Sequence, residues 1–154
     1  MRKNPGPGIA IVLWLCLSSI TGHPQTKDDS LVLVSSSSTE LESLSHADVR
    51  KLFLGIPIIK DNIRLLPVLN TGDPLMTEIF LQKIIFMSKR DYERQLVSRV
   101  FRSGGQRPAE YDNADELVEK LISTPGSVSF MWATQLEQHK DLRSLGQLWS
   151  SSND

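Results

Sequence analysis

Residues 43–55, SLSHADVRKLFLG, specify a helix together with both of its ends. Ser45 can cap the first free N–H groups, and Asp48 stands three residues later, near the positive end of the helix dipole. Gly55 supplies the left-handed residue that commonly ends a helix. The apolar side chains recur at helical spacing and share one face, at Val49, Leu52 and Phe53. The stretch predicts a capped amphipathic helix with one buried face.

The N-terminal residues have the pattern of a secretory signal peptide. Arg2 and Lys3 precede an apolar run over residues 8–20, which is too short to span a bilayer. We expect a signal peptide over residues 1–22 and a periplasmic mature protein, with an uncleaved membrane anchor as the alternative. Cleavage near Gly22 removes Cys16, the only cysteine, so stability must come from core burial rather than from a disulfide.

Charge and composition exclude two classes of partner. The chain has 17 Lys+Arg and 18 Asp+Glu, and removal of Arg2 and Lys3 leaves 15 against 18, a net charge of −3. Such a balance favours neither nucleic acid nor an anionic membrane surface, and we expect no membrane insertion after cleavage. With 40% hydrophobic and 23% charged residues, the composition is that of a globular domain.

Short apolar runs alternate with helical patterns along residues 31–149. A disordered leader is expected over residues 23–30 and a frayed tail over 150–154. Strands are predicted at 31–34, 64–69, 127–132 and 145–149, and helices at 45–54, 73–87, 88–101 and 113–123. This alternation predicts a three-layer α/β domain with a mostly parallel mixed sheet. The inward face of the third helix is predicted to comprise Tyr92, Leu96, Val97, Val100 and Phe101.

Four phrases recur in the order found in one protein family. They are SLS…LFLG within 43–55, LLPV at 65–68, FRSGGQRP at 101–108 and TPGSVSFMW at 124–132. The chain thereby resembles the phosphate-binding proteins of bacterial ABC transporters, within the type 2 periplasmic solute-binding superfamily. The resemblance implies the α/β fold of one lobe, a small oxyanion as ligand, and a membrane permease or a sensor protein as partner.

Two features depart from that family. Its typical members close two lobes over the ligand, whereas this chain has the length of one. In phosphate binders, a Ser-Gly-Thr type turn offers hydroxyl and N–H groups to the oxyanion, and the matching residues here are Thr71, Gly72, Asp73 and Pro74. Asp73 puts a carboxylate where the phosphate should lie, and Pro74 has no N–H to donate.

Two further segments are candidate ligand contacts. Ser36 and Ser37 follow the first strand, where open α/β sheets place ligands, although a polar linker explains them equally well. Ser103 and Gly104 belong to a turn flanked by Arg102 and Arg107, which could grip an anion. A solvated helix face is the plainer explanation of these basic residues.

Nothing in the sequence predicts catalysis, a metal site or a cofactor. Nucleophile-elbow, P-loop, HExxH and dinucleotide motifs are absent, and His46 and His139 lack metal-ligand spacing. Trp132 and Trp149 are expected in the core. Two functions therefore stand: an exported solute-binding protein for a small oxyanion, or a periplasmic interaction or sensory module that has lost its ligand.

Overall fold

The computed structural model describes residues 29–104 and 106–153. The predicted signal peptide, residues 1–22, and residues 23–28 of the predicted leader lie outside the described residues. Ser30, the last residue of that leader, already belongs to the first strand, and Ser150 is the last residue of the final strand. Ser30 and Ser150 are paired, and the N–H of Ser151 donates to the carbonyl of Asp29 at 3.1 Å.

Seven strands and five α-helices are described. The strands are β1 (Ser30–Ser36), β2 (Ile59–Lys60), β3 (Ile63–Arg64), β4 (Leu66–Asn70), β5 (Ala109–Tyr111), β6 (Ser127–Trp132) and β7 (Leu142–Ser150). The helices are α1 (His46–Phe53), α2 (Pro74–Ile79), α3 (Lys89–Ser103), α4 (Ala114–Ser123) and α5 (Ala133–Leu136). A π-helical segment, Phe80–Ile85, continues α2, and a 3-10 turn, Ser151–Asn153, follows β7.

The main sheet has five strands in the order β5-β4-β6-β1-β7. β4 is parallel to β5 and to β6, and β1 is antiparallel to both β6 and β7. β4, β5, β6 and β7 therefore run in one direction, and β1 opposes them from within the sheet. This is the mostly parallel mixed sheet that the sequence predicts.

Successive residues of β6 show that helices cover both faces of the sheet. The Phe130 ring packs on Phe53 of α1 and is stacked on Phe80, with centroids 3.8 Å apart. Met131, the next residue, faces the opposite way and lines a cavity with Leu117 of α4. The domain therefore has three layers, and the residues of β1 from Leu31 to Val34 are buried on both sides, as predicted.

The predicted helix ends are found at the predicted residues. The Oγ of Ser45 accepts from the N–H of Asp48 at 3.1 Å and donates to its carboxylate at 2.7 Å. Gly55 takes a φ of +79°, in the left-handed region. The helix predicted over 73–87 is not one regular α-helix. It consists of α2 and the π-helical segment, which ends at Phe86 with a φ of +60°.

The prediction for the inward face of α3 is wrong in part. Tyr92 and Leu96 are buried as expected, but Val97, Val100 and Phe101 are exposed, Phe101 to 85%. Adjacent residues of a helix point in directions about 100° apart, so Leu96 and Val97 cannot both point directly into the core. Val97 and Val100 are partly covered, at 41% and 37% exposure, and Phe101 is the most exposed of the three.

Candidate functional site

The carboxylate of Asp73 occupies the start of α2. Its Oδ1 accepts from the N–H groups of Leu75 at 2.9 Å and Met76 at 3.2 Å. Its Oδ2 accepts from Nε1 of Trp132 at 2.8 Å. The carboxylate therefore lies on the donors that a bound oxyanion would use at this helix.

These hydrogen bonds also stabilise the ionised form of Asp73. The bond from Trp132 is the largest cause that lowers the pKa of Asp73, ahead of those from Met76 and Leu75, and partial burial opposes them. Each bond favours the ionised carboxyl group, so Asp73 is negatively charged at neutral pH.

The loop before α2 has its other N–H groups committed as well. The N–H of Thr71 donates to the carbonyl of Tyr111 at 2.8 Å, and that of Gly72 donates to Oδ1 of Asn70 at 3.2 Å. A Cβ on Gly72 would lie 2.7 Å from the carbonyl oxygen of Asp112, so only glycine fits there. The loop is rigid and offers few donors to an anion.

A cavity of about 180 Å³ opens beside this loop, at the carboxyl ends of β4, β5 and β6. Ligands of open α/β sheets bind at such an edge. Its polar lining comprises Asn70, Asp73, Asp112, Gln135, Gln138 and His139, and its apolar wall comprises Met76, Leu117, Val118 and Met131. No lysine or arginine is among the described residues that line it. The cavity therefore suits a small ligand that donates hydrogen bonds better than it suits an oxyanion.

Ser36 and Ser37 lie at the other end of the sheet. Because β1 is antiparallel to its neighbours, its carboxyl end lies beside the start of β6, whereas Thr71 is level with the end of β6. The distance along the strands is roughly 16 Å, from about 3.3 Å for each residue. The Oγ of Ser36 is buried and bonded to Oγ of Ser38 at 2.8 Å, which makes it part of a local turn.

Ser103 and Gly104 lie in a third location, away from both Thr71 and Ser36. They line a larger cavity, of about 420 Å³, together with Leu66 and Pro67 from the start of β4. The structure thus brings Thr71, Gly72 and Asp73 together and separates them from the other predicted contacts. The seven predicted residues do not form one site.

Several residues of the small cavity were missed from the sequence. Asn70 is the last residue of β4, and the rule for carboxyl ends of parallel strands could have found it. Asp112 follows β5, a short strand that was not predicted. The short helix α5 was not predicted from the sequence. It contains Gln135, and Gln138 and His139 follow it. The partnership of Asp73 with Trp132 joins residues far apart in the chain, so no local signal revealed it.

Metal-ligand geometry is not found in the described part of the chain. No group of three or more His, Cys, Asp or Glu side chains there could hold a metal ion. The Nε2 of His46 lies 3.0 Å from the carbonyl oxygen of Leu148, a hydrogen bond that ties α1 to β7. Among residues 29–104 and 106–153, no helix combines the length and apolar character of a membrane span.

Known proteins resemble this chain in fold. PstS from Borrelia burgdorferi matches 77% of this chain with a TM-score of 0.52 and 15% identity, and an ABC-type phosphate transport receptor from Vibrio cholerae matches 77% with a TM-score of 0.54 and 10% identity. The chain shares the fold of these receptors. It spans about half of their length, 47% and 46% respectively, and so corresponds to one lobe. No protein-family model and no curated protein sequence matches the chain.

The comparison confirms the predicted resemblance to phosphate-binding proteins and the predicted fold class. At these identities it concerns the fold alone. The side chains at the start of α2 and around the 180 Å³ cavity must therefore carry any argument about the ligand.

Proposed function

We propose that the protein is an exported, non-catalytic solute-binding module whose ligand is a small polar solute that carries hydrogen-bond donors, such as an ammonium group. The observation that carries this proposal is the lining of the small cavity, in which Asp73 and Asp112 supply carboxylates and no described lysine or arginine supplies a positive charge. Phosphate, the ligand implied by the family resemblance, would approach Asp73 against charge repulsion.

The expected solute is small. The volume of about 180 Å³ is below the range of roughly 300–1,000 Å³ for sites that take drug-sized molecules. Carboxylate, amide and imidazole groups can accept from an ammonium or hydroxyl group, and Met131 and Leu117 provide an apolar wall for a short carbon chain.

Calorimetric titration of the full-length protein tests the ligand class. We expect heat from ethanolamine or glycine and none from phosphate, sulfate or acetate. Asp112→Asn should weaken the binding by about threefold to tenfold, the range for one partly exposed ion pair. Asp141→Asn, at an exposed carboxylate outside the cavity, is the control and should leave it unchanged. Saturable phosphate binding that Asp112→Asn does not weaken would contradict the proposal.

Export is part of the proposal and has its own test. The signal-like residues 1–22 favour cleavage near Gly22 and delivery to the periplasm, where a membrane permease is the partner of a transport role. Expression of the full-length chain in a bacterium, followed by N-terminal sequencing of the periplasmic product, should place the new terminus near His23. A product that keeps Met1 in the membrane fraction would favour the anchor instead.

A second candidate function is an interaction or sensory module. The exposed face of α3, formed by Val97, Val100 and Phe101, favours it, because folded domains seldom expose several large apolar side chains together. The mass in solution separates the candidates: a dimer that Phe101→Ser converts to a monomer supports interaction through this face. A neighbouring gene for a permease and an ATPase supports transport, and one for a sensor kinase supports signalling.

A further inference from the structure

A second cavity with charged walls lies at the opposite end of the sheet from Asp73. It measures about 420 Å³ and opens where β4 and β5 begin, between the ends of α1, α3 and α4. Its volume is within the range of roughly 300–1,000 Å³ typical of small-molecule sites. It shares no lining residue with the smaller cavity at the carboxyl ends of the strands.

The floor of this cavity is apolar. Ile56, Leu66 and Pro67 line it and are only half-buried, so they keep apolar surface that a ligand can cover. Pro57 and Pro67 add rigid apolar walls that donate no backbone hydrogen bond. A hydrocarbon group placed against this floor would leave water at a gain in free energy.

The wall carries three cations, of which one is paired with carboxylates from outside the lining. Arg64, Arg107 and Lys120 line the cavity, and none of its described lining residues is Asp or Glu. Arg107 is paired with Glu93 and lies 3.8 Å from Glu110. Arg64 and Lys120 have no ion-pair partner among the described residues, so their charges remain uncompensated.

A further cation lies just behind the wall. The side chain of Arg99 runs so close to Gly55, a lining residue, that a Cβ on Gly55 would lie 3.1 Å from its Cδ. The Nε of Arg99 is buried and has no hydrogen-bond partner among the described residues. Arg99 therefore adds to the positive potential in the cavity, whereas Glu93 and Glu110 beside Arg107 lower it.

Helix ends explain only part of this arrangement. Lys120 lies in the last turn of α4, and Arg99 lies near the end of α3, where cations stabilise the exposed carbonyl groups. Arg64 belongs to β3 and has no helix end of its own to neutralise. Arg64 is exposed at the cavity wall, so its guanidinium group is accessible to a ligand.

We propose that this cavity binds a small organic anion, with an apolar body on Ile56, Leu66 and Pro67 and a carboxylate head beside Arg64 and Lys120. The apolar body covers exposed apolar surface, and the head pairs with cations that have no ion-pair partner among the described residues. The site is independent of the solute proposed for the smaller cavity, because the two lie at opposite ends of the sheet.

Hexanoate is a suitable probe for calorimetric titration of the full-length protein. We expect it to bind with one site per chain, and 1-hexanol and hexylammonium to bind at least tenfold more weakly, because they lack the anionic head. Affinity for hexanoate should fall as salt increases, since mobile ions screen the exposed charges. Equal affinity for 1-hexanol, or no heat from hexanoate, would overturn the proposal.

Charge-neutral variants locate the site. Arg64→Gln and Lys120→Gln should each weaken hexanoate binding by about threefold to tenfold. Lys140→Gln, an exposed residue outside the cavity, and Asp112→Asn, in the smaller cavity, should leave it unchanged. Far-UV circular dichroism confirms that each variant is folded. Leu66→Asn, which replaces an apolar side chain of the cavity wall with a polar one, is a second probe and should also weaken hexanoate binding. Binding that survives both Arg64→Gln and Lys120→Gln would overturn the assignment.

Discussion

The indole N–H of Trp132 donates a 2.8 Å hydrogen bond to the carboxylate of Asp73, 59 residues away in the sequence. The bond joins the end of β6 to the first residue before α2, and the same carboxylate caps that helix. One side chain thereby fixes the helix to the sheet and fills the position of an external anion.

Asp73→Ala should destabilise the protein by about 1–2 kcal/mol. The variant removes the helix cap and leaves the N–H of Trp132 without its acceptor. Urea unfolding followed by circular dichroism measures the change. Asp112→Ala removes an exposed carboxylate from the same cavity without removing a cap and should cost much less. Equal losses in the two variants would contradict the role assigned to Asp73.

The contribution of Asp73 to stability should disappear in acid. Its pKa is lowered in the folded protein, so the charged carboxylate stabilises the fold at pH values above the unfolded pKa of about 3.9. This stabilisation is lost as the pH falls through the pKa of the folded protein. The difference in unfolding free energy between the wild type and Asp73→Ala should therefore be full at pH 7 and shrink below about pH 4. Asp48 and Asp91 also have lowered pKa values, but both residues occur in the wild type and in the variant, so their contributions cancel in this difference. A difference that does not depend on pH would refute this account.

Tyr92→Phe should cost about 1–2 kcal/mol of stability. The Tyr92 hydroxyl is buried and donates to the carbonyl of Phe53 at 2.8 Å, and the variant leaves that carbonyl unpaired. Tyr111→Phe, at a half-buried tyrosine, is the matched control. Burial also raises the pKa of Tyr92, so in the Tyr111→Phe variant, which keeps Tyr92 as its one tyrosine, ultraviolet titration should detect no ionisation until the protein unfolds. Ionisation of Tyr92 in that variant while it is still folded would contradict the buried position of Tyr92.

Phe80→Ala should be among the most damaging substitutions. Phe80 is fully buried, stacks on Phe130 and lies 4.8 Å from the ring of Phe53, so its loss leaves a large cavity between the sheet and α1. The expected cost is about 3–5 kcal/mol, measured by urea unfolding. Phe101→Ala changes a ring that is 85% exposed and should cost under about 0.5 kcal/mol. Similar losses would mean that α3 buries its second face in solution.

Gly126→Ala should destabilise the protein more than Gly104→Ala. Both glycines have a positive φ, +81° and +61°, which strains any residue with a Cβ. At Gly126 that Cβ would also lie 2.4 Å from the carbonyl oxygen of Arg64, whereas at Gly104 it would meet nothing within 4 Å. We expect about 1 kcal/mol at Gly104 and clearly more at Gly126, by thermal unfolding. The reverse order would contradict the close approach of this turn to β3.

Local signals in the sequence predicted local structure well. Ser45 caps the helix that it was expected to cap, and Asp73 and Ser88 cap the helices predicted to begin at residues 73 and 88, because a helix start depends on a few neighbouring residues. The buried run Leu31–Val34 was likewise identified as a strand from its composition. Hydrogen bonding and burial within a short segment decide these features.

Strand direction was not available from the same signals. An apolar run such as β1 has the same pattern whether it runs with its neighbours or against them, so Ser36 and Ser37 were expected at the wrong edge of the sheet. The wrong prediction for Val97, Val100 and Phe101 of α3 has a similar cause, because periodicity counts apolar residues and cannot tell which of them has a partner. Only the pairing of β1 with β6 and β7 shows which edge of the sheet Ser36 and Ser37 occupy.

The position of β1 has a consequence for how the chain folds. Its partners lie far along the sequence, from Val128 to Trp132 and from Leu142 to Ser150. The centre of the sheet can therefore close only when these distant segments meet, and closing so long a loop is slow. Refolding of this domain is expected to be limited by that long-range encounter rather than by formation of its helices.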